Sequence, residues 1–197
     1  MKKKKLEITL EKVERFKSPN HNLEQYSTPA IVASSMLHFA YMRGDIKDSV
    51  IYDLGCGTGI LSIGAKLLGA KEVIGFDLDE MALKEARVNA NKRSVDIEFK
   101  LESIKNIQGN CDTVIMNPPF GAQKKGADRP FLEKAIDLAT VIYSIHNYGS
   151  YDFISQFIYP AKITDYYTIS FPIKRTFNFH TKDLEYIQAE IFRIVKI

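Results

Sequence analysis

The chain has 197 residues, 45% of them hydrophobic, with 27 Lys and Arg against 24 Asp and Glu for a formal charge of +3. That length suits a single domain, residues 1–197, with a substantial core. The charge is too small to name a nucleic-acid partner. No apolar run approaches the ~18–20 residues of a membrane span, and Met1, Lys2–Lys5, Leu6 and Glu7 lack the apolar core of a signal peptide, so membrane and secreted classes are not expected. Two cysteines, Cys56 and Cys111, fit a reducing, cytoplasmic setting, and with four scattered histidines they give no zinc spacing, so no metal site is expected.

Leu6, Leu10 and Val13 share a helical face that Phe16 continues, giving an amino-terminal helical leader over 1–48. Lys2–Lys5 reads either as a phosphate-binding arm or, the preferred reading, as a frayed, solvated terminus. Residues 18–25 read as loop. Thr28-Pro29 reads as an N-cap and first turn, opening a helix that Gly44 stops near Arg43. The core, 49–197, begins with Val50–Leu54, a short apolar strand running into glycines. A helix over 60–68, a strand over 72–77 and a helix over 80–92 follow. Asp96 to Leu101 and Thr113 to Met116 read as strands, Pro130 to Ala139 as a helix, Val141 to Ile145 as a strand and Tyr151 to Tyr159 as a helix. Two β-rich stretches, about 165–173 and 186–195, close the chain. Alternation of strand and helix implies a doubly wound α/β domain with a parallel sheet, and the short final connection adds one antiparallel strand.

Asp53-Leu54-Gly55-Cys56-Gly57-Thr58-Gly59-Ile60 joins the first strand to its helix. Glycines let the backbone bend sharply and let a ligand lie against it. A dinucleotide fingerprint, G-x-G-x-x-G, would put its third glycine at position 60, which is Ile. The observed G-x-G-x-G after an acid is the spacing of S-adenosylmethionine enzymes. Asp77 ends the second strand about twenty residues on, where a carboxylate accepts ribose hydroxyls. Asp79 reads as a helix cap, and Cys56 as a small buried filler.

Asn117-Pro118-Pro119-Phe120 directly follows a strand. Two prolines stiffen the turn and fix two acceptors, the Asn117 side-chain oxygen and the Pro118 carbonyl, at the carboxyl edge of the sheet. An exocyclic amino group has two protons to donate to them. Held there, its nitrogen lone pair can be aimed at a neighbouring methyl sulfonium, and catalysis is mostly alignment. Phe120 offers either a face for stacking a base or a core side chain under the turn.

With these motifs the sequence resembles the methyltransferase-like 5 family, archaeal branch. The similar segments are Leu23-Glu24-Gln25-Tyr26-Ser27-Thr28-Pro29, Asp53 to Ser62, Asn117 to Gly121, Val141 to His146 and Phe177-Asn178-Phe179-His180. The resemblance implies a Rossmann-like, seven-stranded class I methyltransferase sheet whose last strand is antiparallel. It implies S-adenosylmethionine as cofactor and adenine N6 of small-subunit ribosomal RNA as acceptor. By that resemblance Gln25 and Thr28 reach the cofactor from the leader, Gly55, Thr58 and Ile60 line its methionine side, Asp77 meets the ribose, and Glu102 stands at the adenine where relatives carry Asp; Asp53 and Gly57 of the glycine loop complete the cofactor-binding set. Asn117, Pro118 and Phe120 serve the target base, with Asn117 also beside the cofactor. A small zinc-containing activator protein is implied on the edge of the third strand, where Ile97, Phe99 and Leu101 alternate with Glu98 and Lys100. The alternative is that this row packs under the domain's own helix.

If the penultimate strand is parallel to the others, its exit loop shares the rim of the site. That loop holds Lys174, Arg175, Phe177, Phe179, His180 and Lys182, and Lys124, Lys125 and Arg129 follow the Asn117 motif. Singly, such charges are ordinary solvated residues. Two loops converging on one edge suggest phosphate contacts and base stacking. Competing readings are transfer to guanine N2 or a protein glutamine amide, a non-catalytic RNA-binding domain, and a dinucleotide oxidoreductase, which the missing third glycine disfavours.

Overall fold

The computed structural model describes residues 1–17, 19–20, 24–121, 126–174 and 184–196. Its elements are α1 (Lys3–Leu10), α2 (Ala30–Met42), β1 (Val50–Leu54), α3 (Ile60–Leu67), β2 (Glu72–Asp77), α4 (Glu80–Asn91), β3 (Glu98–Leu101), β4 (Cys111–Met116), α5 (Arg129–Leu138), β5 (Ala139–Asn147), α6 (Tyr151–Phe157), β6 (Lys162–Lys174) and β7 (Leu184–Val195).

The seven strands form one sheet in the order β3-β2-β1-β4-β5-β7-β6. Pairings from β3 through β5 are parallel, while β7 is antiparallel to both β5 and β6. β1 and β4 are buried along nearly their whole length, as strands covered on both faces must be. One face packs Leu6, Leu10, Met36, Leu37, Ile63 and Leu83 from α1 to α4 against Ile115, Tyr143 and Ile191. The other packs Leu132, Leu138 and Ile154 from α5 and α6 against Val114, Met116 and Phe192. Strand order reverses between β1 and β4, so a crevice opens at their carboxyl ends. Because β6 runs parallel to β5, Lys174 ends its strand on that same edge. Among the described residues no helix is long and apolar enough to cross a membrane.

The leader departs from its expected form at three points. Lys2–Lys5 is not frayed: Lys2 caps α1, its carbonyl accepting from Lys5 N and Leu6 N, and Lys4 pairs with Glu7 at 2.9 Å. Burial of Leu6 and Leu10 holds that turn in place. The apolar stripe reaches Val13, but the helix ends at Leu10. Asn89 takes both Glu14 N and Glu14 O, which leads the chain off the helical path. Third, the N-cap of α2 is Pro29 rather than Thr28: the Pro29 carbonyl accepts from Val32 N and Ala33 N, and the Thr28 side chain is bonded elsewhere, as described below.

The remaining elements match the expected ones within a few residues. β3 is an edge strand of only four residues. Its apolar row divides: Phe99 is buried and Ile97 partly buried against the chain's own core, whereas Leu101 is 54% exposed. In the other half of the sheet, Asp45 accepts Tyr143 Oη at 2.5 Å and Arg193 Nε at 2.8 Å, tying the turn after α2 to β5 and β7. Burial, reinforced by that bond to Asp45, pushes the Tyr143 hydroxyl far above its ordinary range.

Candidate active site

The crevice is lined by the glycine loop, the ends of β1, β2 and β4, and the leader strap 24–28. Gly55 (φ +70°), Gly57 (φ +52°) and Gly59 (φ +83°) all lie in the left-handed region, which only glycine adopts freely. Gly55 N and Cys56 N both donate to the Phe76 carbonyl, each at 2.9 Å, so the loop is latched to β2. A Cβ on Gly57 would lie 2.8 Å from the Phe16 ring, and one on Gly55 3.0 Å from Phe131. Thr58 is buried, its carbonyl accepting from Asn89 Nδ2 at 3.1 Å, and Ile60 opens α3 at the wall of the crevice. The Cys56 thiol is buried, with its pKa raised by that burial, as befits a filler rather than a nucleophile.

Three carboxylates behave differently. Asp53 is fully buried; its Oδ2 accepts Ser62 N at 2.9 Å and Ser62 Oγ at 2.5 Å. Its Oδ1 is buried with no partner among the described residues, although Asp53 lines the crevice. Burial pushes this carboxyl up to about 7 despite the Ser62 bonds. Such an atom is costly unless a donor meets it in the working state. Asp77 accepts Gly57 N on Oδ2 at 2.8 Å and Asp79 N on Oδ1 at 3.0 Å, leaving a lone pair on each oxygen for further donors. Glu102 also lines the crevice, but its Oε1 accepts Ser103 N at 3.0 Å and Asn106 Nδ2 at 3.2 Å in its own loop.

At the end of β4, Asn117 donates from Nδ2 to Thr28 Oγ1 at 2.9 Å. Its Oδ1 is buried and has no partner among the described residues. Pro118 is buried, and Pro119 lines the crevice with Asn117. Phe120 is not among the lining residues; it is partly buried against the α1–α4 core. Gly121 N donates to Glu24 Oε2 at 3.0 Å. Asp79 caps α4 as expected, accepting Met81 N at 2.9 Å on Oδ1. Its Oδ2 accepts Gln25 Nε2 at 2.7 Å, and Gln25 Oε1 accepts Asn20 N at 2.7 Å.

The structure thus gathers Gln25, Thr28, Asp53, Gly55, Gly57, Thr58, Ile60, Asp77, Glu102 and Asn117 around one crevice. Of the basic rim, Arg129 is exposed with its guanidinium 5.4 Å from the Phe153 ring and 5.9 Å from Phe157. Lys174 closes β6, while Lys124, Lys125, Arg175, His180 and Lys182 lie outside the described residues. Among the described residues no group of His, Cys, Asp or Glu is placed to hold a metal ion. Three contributors had no sequence signal pointing to this site: Phe16 and Phe131, which wall the glycine loop, and Asn89, which fastens it to the leader; Glu24 was named only within the leader segment, with no role given.

The sequence profile of the ribosomal protein L11 methyltransferase family (PrmA) matches residues 36–118, from within α2 to the Asn117 motif. Over its whole length the chain is 41% identical to an uncharacterised protein of Methanocaldococcus jannaschii, covering 95% of it. It is 36% identical to the rRNA N(6)-adenosine-methyltransferase METTL5 of Danio rerio, over 98% of each chain. The crystal structure of PH1948 from Pyrococcus horikoshii, described as a candidate RNA methyltransferase, matches with a TM-score of 0.92 and 42% identity, over 100% of this chain and 98% of that one. With 36% identity to METTL5 over 98% of its length and the Asn-Pro-Pro-Phe turn seated beside an acidic glycine loop, the chain belongs to the methyltransferase-like 5 family of class I methyltransferases.

Proposed function

We propose that the protein transfers a methyl group from S-adenosylmethionine to N6 of an adenine in small-subunit ribosomal RNA, acting over 1–197 as one methyltransferase unit. The observation that carries this is Asn117: its NH2 is held by Thr28 while its Oδ1, buried at the end of β4 beside the glycine loop, lacks a partner among the described residues. A planar amine brought there donates one proton to that oxygen and the other to the Pro118 carbonyl. The pair orients the nitrogen without a titrating base, and its surplus proton leaves after attack.

The residues around the glycine loop suit S-adenosylmethionine, which when bound supplies a methyl group on a positively charged sulfur. Asp53 Oδ1 is a buried acceptor for the cofactor's ammonium. The free lone pairs of Asp77 suit ribose hydroxyls, and Gly55 and Gly57 keep the backbone clear of Cβ atoms. Thr58 and Ile60 would lie along the methionine side, Glu102 toward the adenine, and Gln25 in the leader strap above, where the Thr28 hydroxyl is bonded to Asn117 instead.

Asp53 gives this reading a pH signature. A carboxyl that burial pushes up to about 7 must be ionised to hold an ammonium. Below that pH, binding expels a proton, and affinity falls about tenfold per pH unit. Above about 8 the ammonium itself deprotonates, so affinity peaks between about 7 and 8. Calorimetry at pH 6 in buffers of different ionisation enthalpy is expected to show nearly one proton released per site. In Asp53→Asn the acid limb disappears. Equal affinity at pH 6 and pH 7.5 in the wild type would contradict the assignment.

The acceptor is tested with methyl-labelled cofactor and ribosomal subunits that lack the modification. Label is expected in N6-methyladenosine; label in N2-methylguanosine or a protein glutamine would overturn the reading. RNA at the rim is supported by Lys174 ending β6 on the same sheet edge as Asn117. A reducing, cytoplasmic setting agrees with the free Cys56 and Cys111. The exposed Leu101 on edge strand β3, with exposed Leu78 and Met81, supports docking of a small zinc-containing activator there. Leu101→Asp would then abolish stimulation by that partner without changing cofactor affinity, and stimulation unchanged by it would exclude this edge.

A further inference from the structure

An asparagine amide can turn either its oxygen or its NH2 toward a pocket with nearly the same shape, and only the oxygen accepts protons from an amine. Pro118 and Pro119 stiffen the backbone beside Asn117 but leave its last torsion broad and two-fold. The direction of the amide must therefore come from a hydrogen-bond partner that accepts from Nδ2, which a hydroxyl does only while its own proton is turned elsewhere. That partner is Thr28, 89 residues away in sequence, whose Oγ1 accepts from Asn117 Nδ2 at 2.9 Å.

Thr28 is itself well held. It precedes Pro29, the N-cap of α2. Three residues earlier Gln25 is bonded to Asp79, and Glu24 accepts from Gly121 N at 3.0 Å. The leader thus grips the Asn117–Gly121 segment at both ends. With Nδ2 engaged, Oδ1 is the end of the amide left buried and unpartnered among the described residues.

We propose that Thr28 is a positioning residue for amine recognition: with its own proton turned to the crevice that it lines, its hydroxyl acts as the acceptor that holds the Asn117 amide so that Oδ1 meets the incoming amine. This role rests on the amine-methylation reading above, and it differs from a direct contact between Thr28 and the cofactor.

The test compares Thr28→Val, which keeps the shape and loses the hydroxyl, with Thr28→Ser, which keeps the hydroxyl. On small-subunit ribosomal RNA, T28V is expected to lower kcat about a hundredfold, since small misplacements near the reacting atoms cost that much. Its dissociation constant for S-adenosylmethionine is expected to stay within about threefold of wild type, and T28S to turn over within about threefold of wild type. Side-chain amide exchange, followed by 15N spectroscopy, is independent of turnover. One Asn117 Nδ2 proton, assigned by its loss in Asn117→Ala, is expected to exchange slowly in wild type and T28S and both to exchange rapidly in T28V. Wild-type turnover by T28V, a loss arising only through weaker cofactor binding, a loss that T28S fails to restore, or rapid exchange of both protons in the wild type would each overturn the proposal. If the wild type methylates a different acceptor, the adenine reading fails, while the exchange pattern still decides the role of Thr28.

Discussion

Asn117→Ala is expected to lower kcat for methyl transfer by about a thousandfold, with the dissociation constant for S-adenosylmethionine changed by less than about tenfold. Two effects combine. The variant removes an acceptor that orients the amine as its nitrogen attacks, and loss of one such preorganised hydrogen-bonding group typically costs on the order of 10²–10³ in kcat. It also removes the amide that the leader grips through Thr28, so the rest of the turn is less well placed. Folding should hardly change, because among the described residues only Thr28 Oγ1 loses a partner, worth about 1 kcal/mol. Single-turnover kinetics at saturating cofactor separate the transfer step from binding. A variant that retains more than about a tenth of the wild-type rate would mean that the Asn117 side chain takes no part in amine recognition.

The largest stability effect is expected away from the reacting atoms, at Asn89. This side chain on α4 is fully buried. Its Oδ1 accepts Glu14 N at 2.9 Å, and its Nδ2 donates to Glu14 O at 3.0 Å and Thr58 O at 3.1 Å. One amide therefore fastens the leader to α4 and steadies the glycine loop. Asn89→Ala leaves three backbone groups without that partner, each costing about 1–3 kcal/mol where water cannot reach it. Glu14 is partly exposed, which lowers the sum to about 3 kcal/mol. Denaturant unfolding should show an earlier midpoint at unchanged slope, and cofactor binding should weaken with it. A loss under about 1 kcal/mol would mean that burial of Leu6, Leu10 and Val13 alone holds the leader.

What the sequence reveals here depends on how local the determining interaction is. β1 and β2 were legible almost to the residue because central parallel strands are unbroken apolar runs bounded by glycine or charge. β6 and β7 run a few residues longer than expected, to Lys162–Lys174 and Leu184–Val195, because an antiparallel ladder pairs backbone groups whatever side chains they carry. The acidic glycine loop, Asp77 and Asn117 were legible for a related reason: each sits at a fixed offset from the strand that presents it. The contacts that organise them were not. Thr28 with Asn117, Glu24 with Gly121 and Asn89 with Glu14 join residues 89, 97 and 75 positions apart, and no spacing rule spans such distances. Thr28 shows the cost of a local reading. Before proline it has the composition of an N-cap, yet its hydroxyl is drawn to Asn117 and the cap falls to Pro29. Phe120 is ambiguous in the same way, since an aromatic side chain after a di-proline turn serves a base or the core equally well; in the described structure it rests partly buried on the core.

Amine recognition here turns on one oxygen atom meeting one amino group. A crystal structure of the protein with a non-transferable S-adenosylmethionine analogue and an adenosine-containing RNA tests it most directly. Asn117 Oδ1 is expected about 3 Å from the adenine N6, with the Pro118 carbonyl at a similar distance and Thr28 still accepting from Nδ2. An adenine amine bound elsewhere, or an Asn117 oxygen facing Thr28 with its NH2 toward the base, would contradict it.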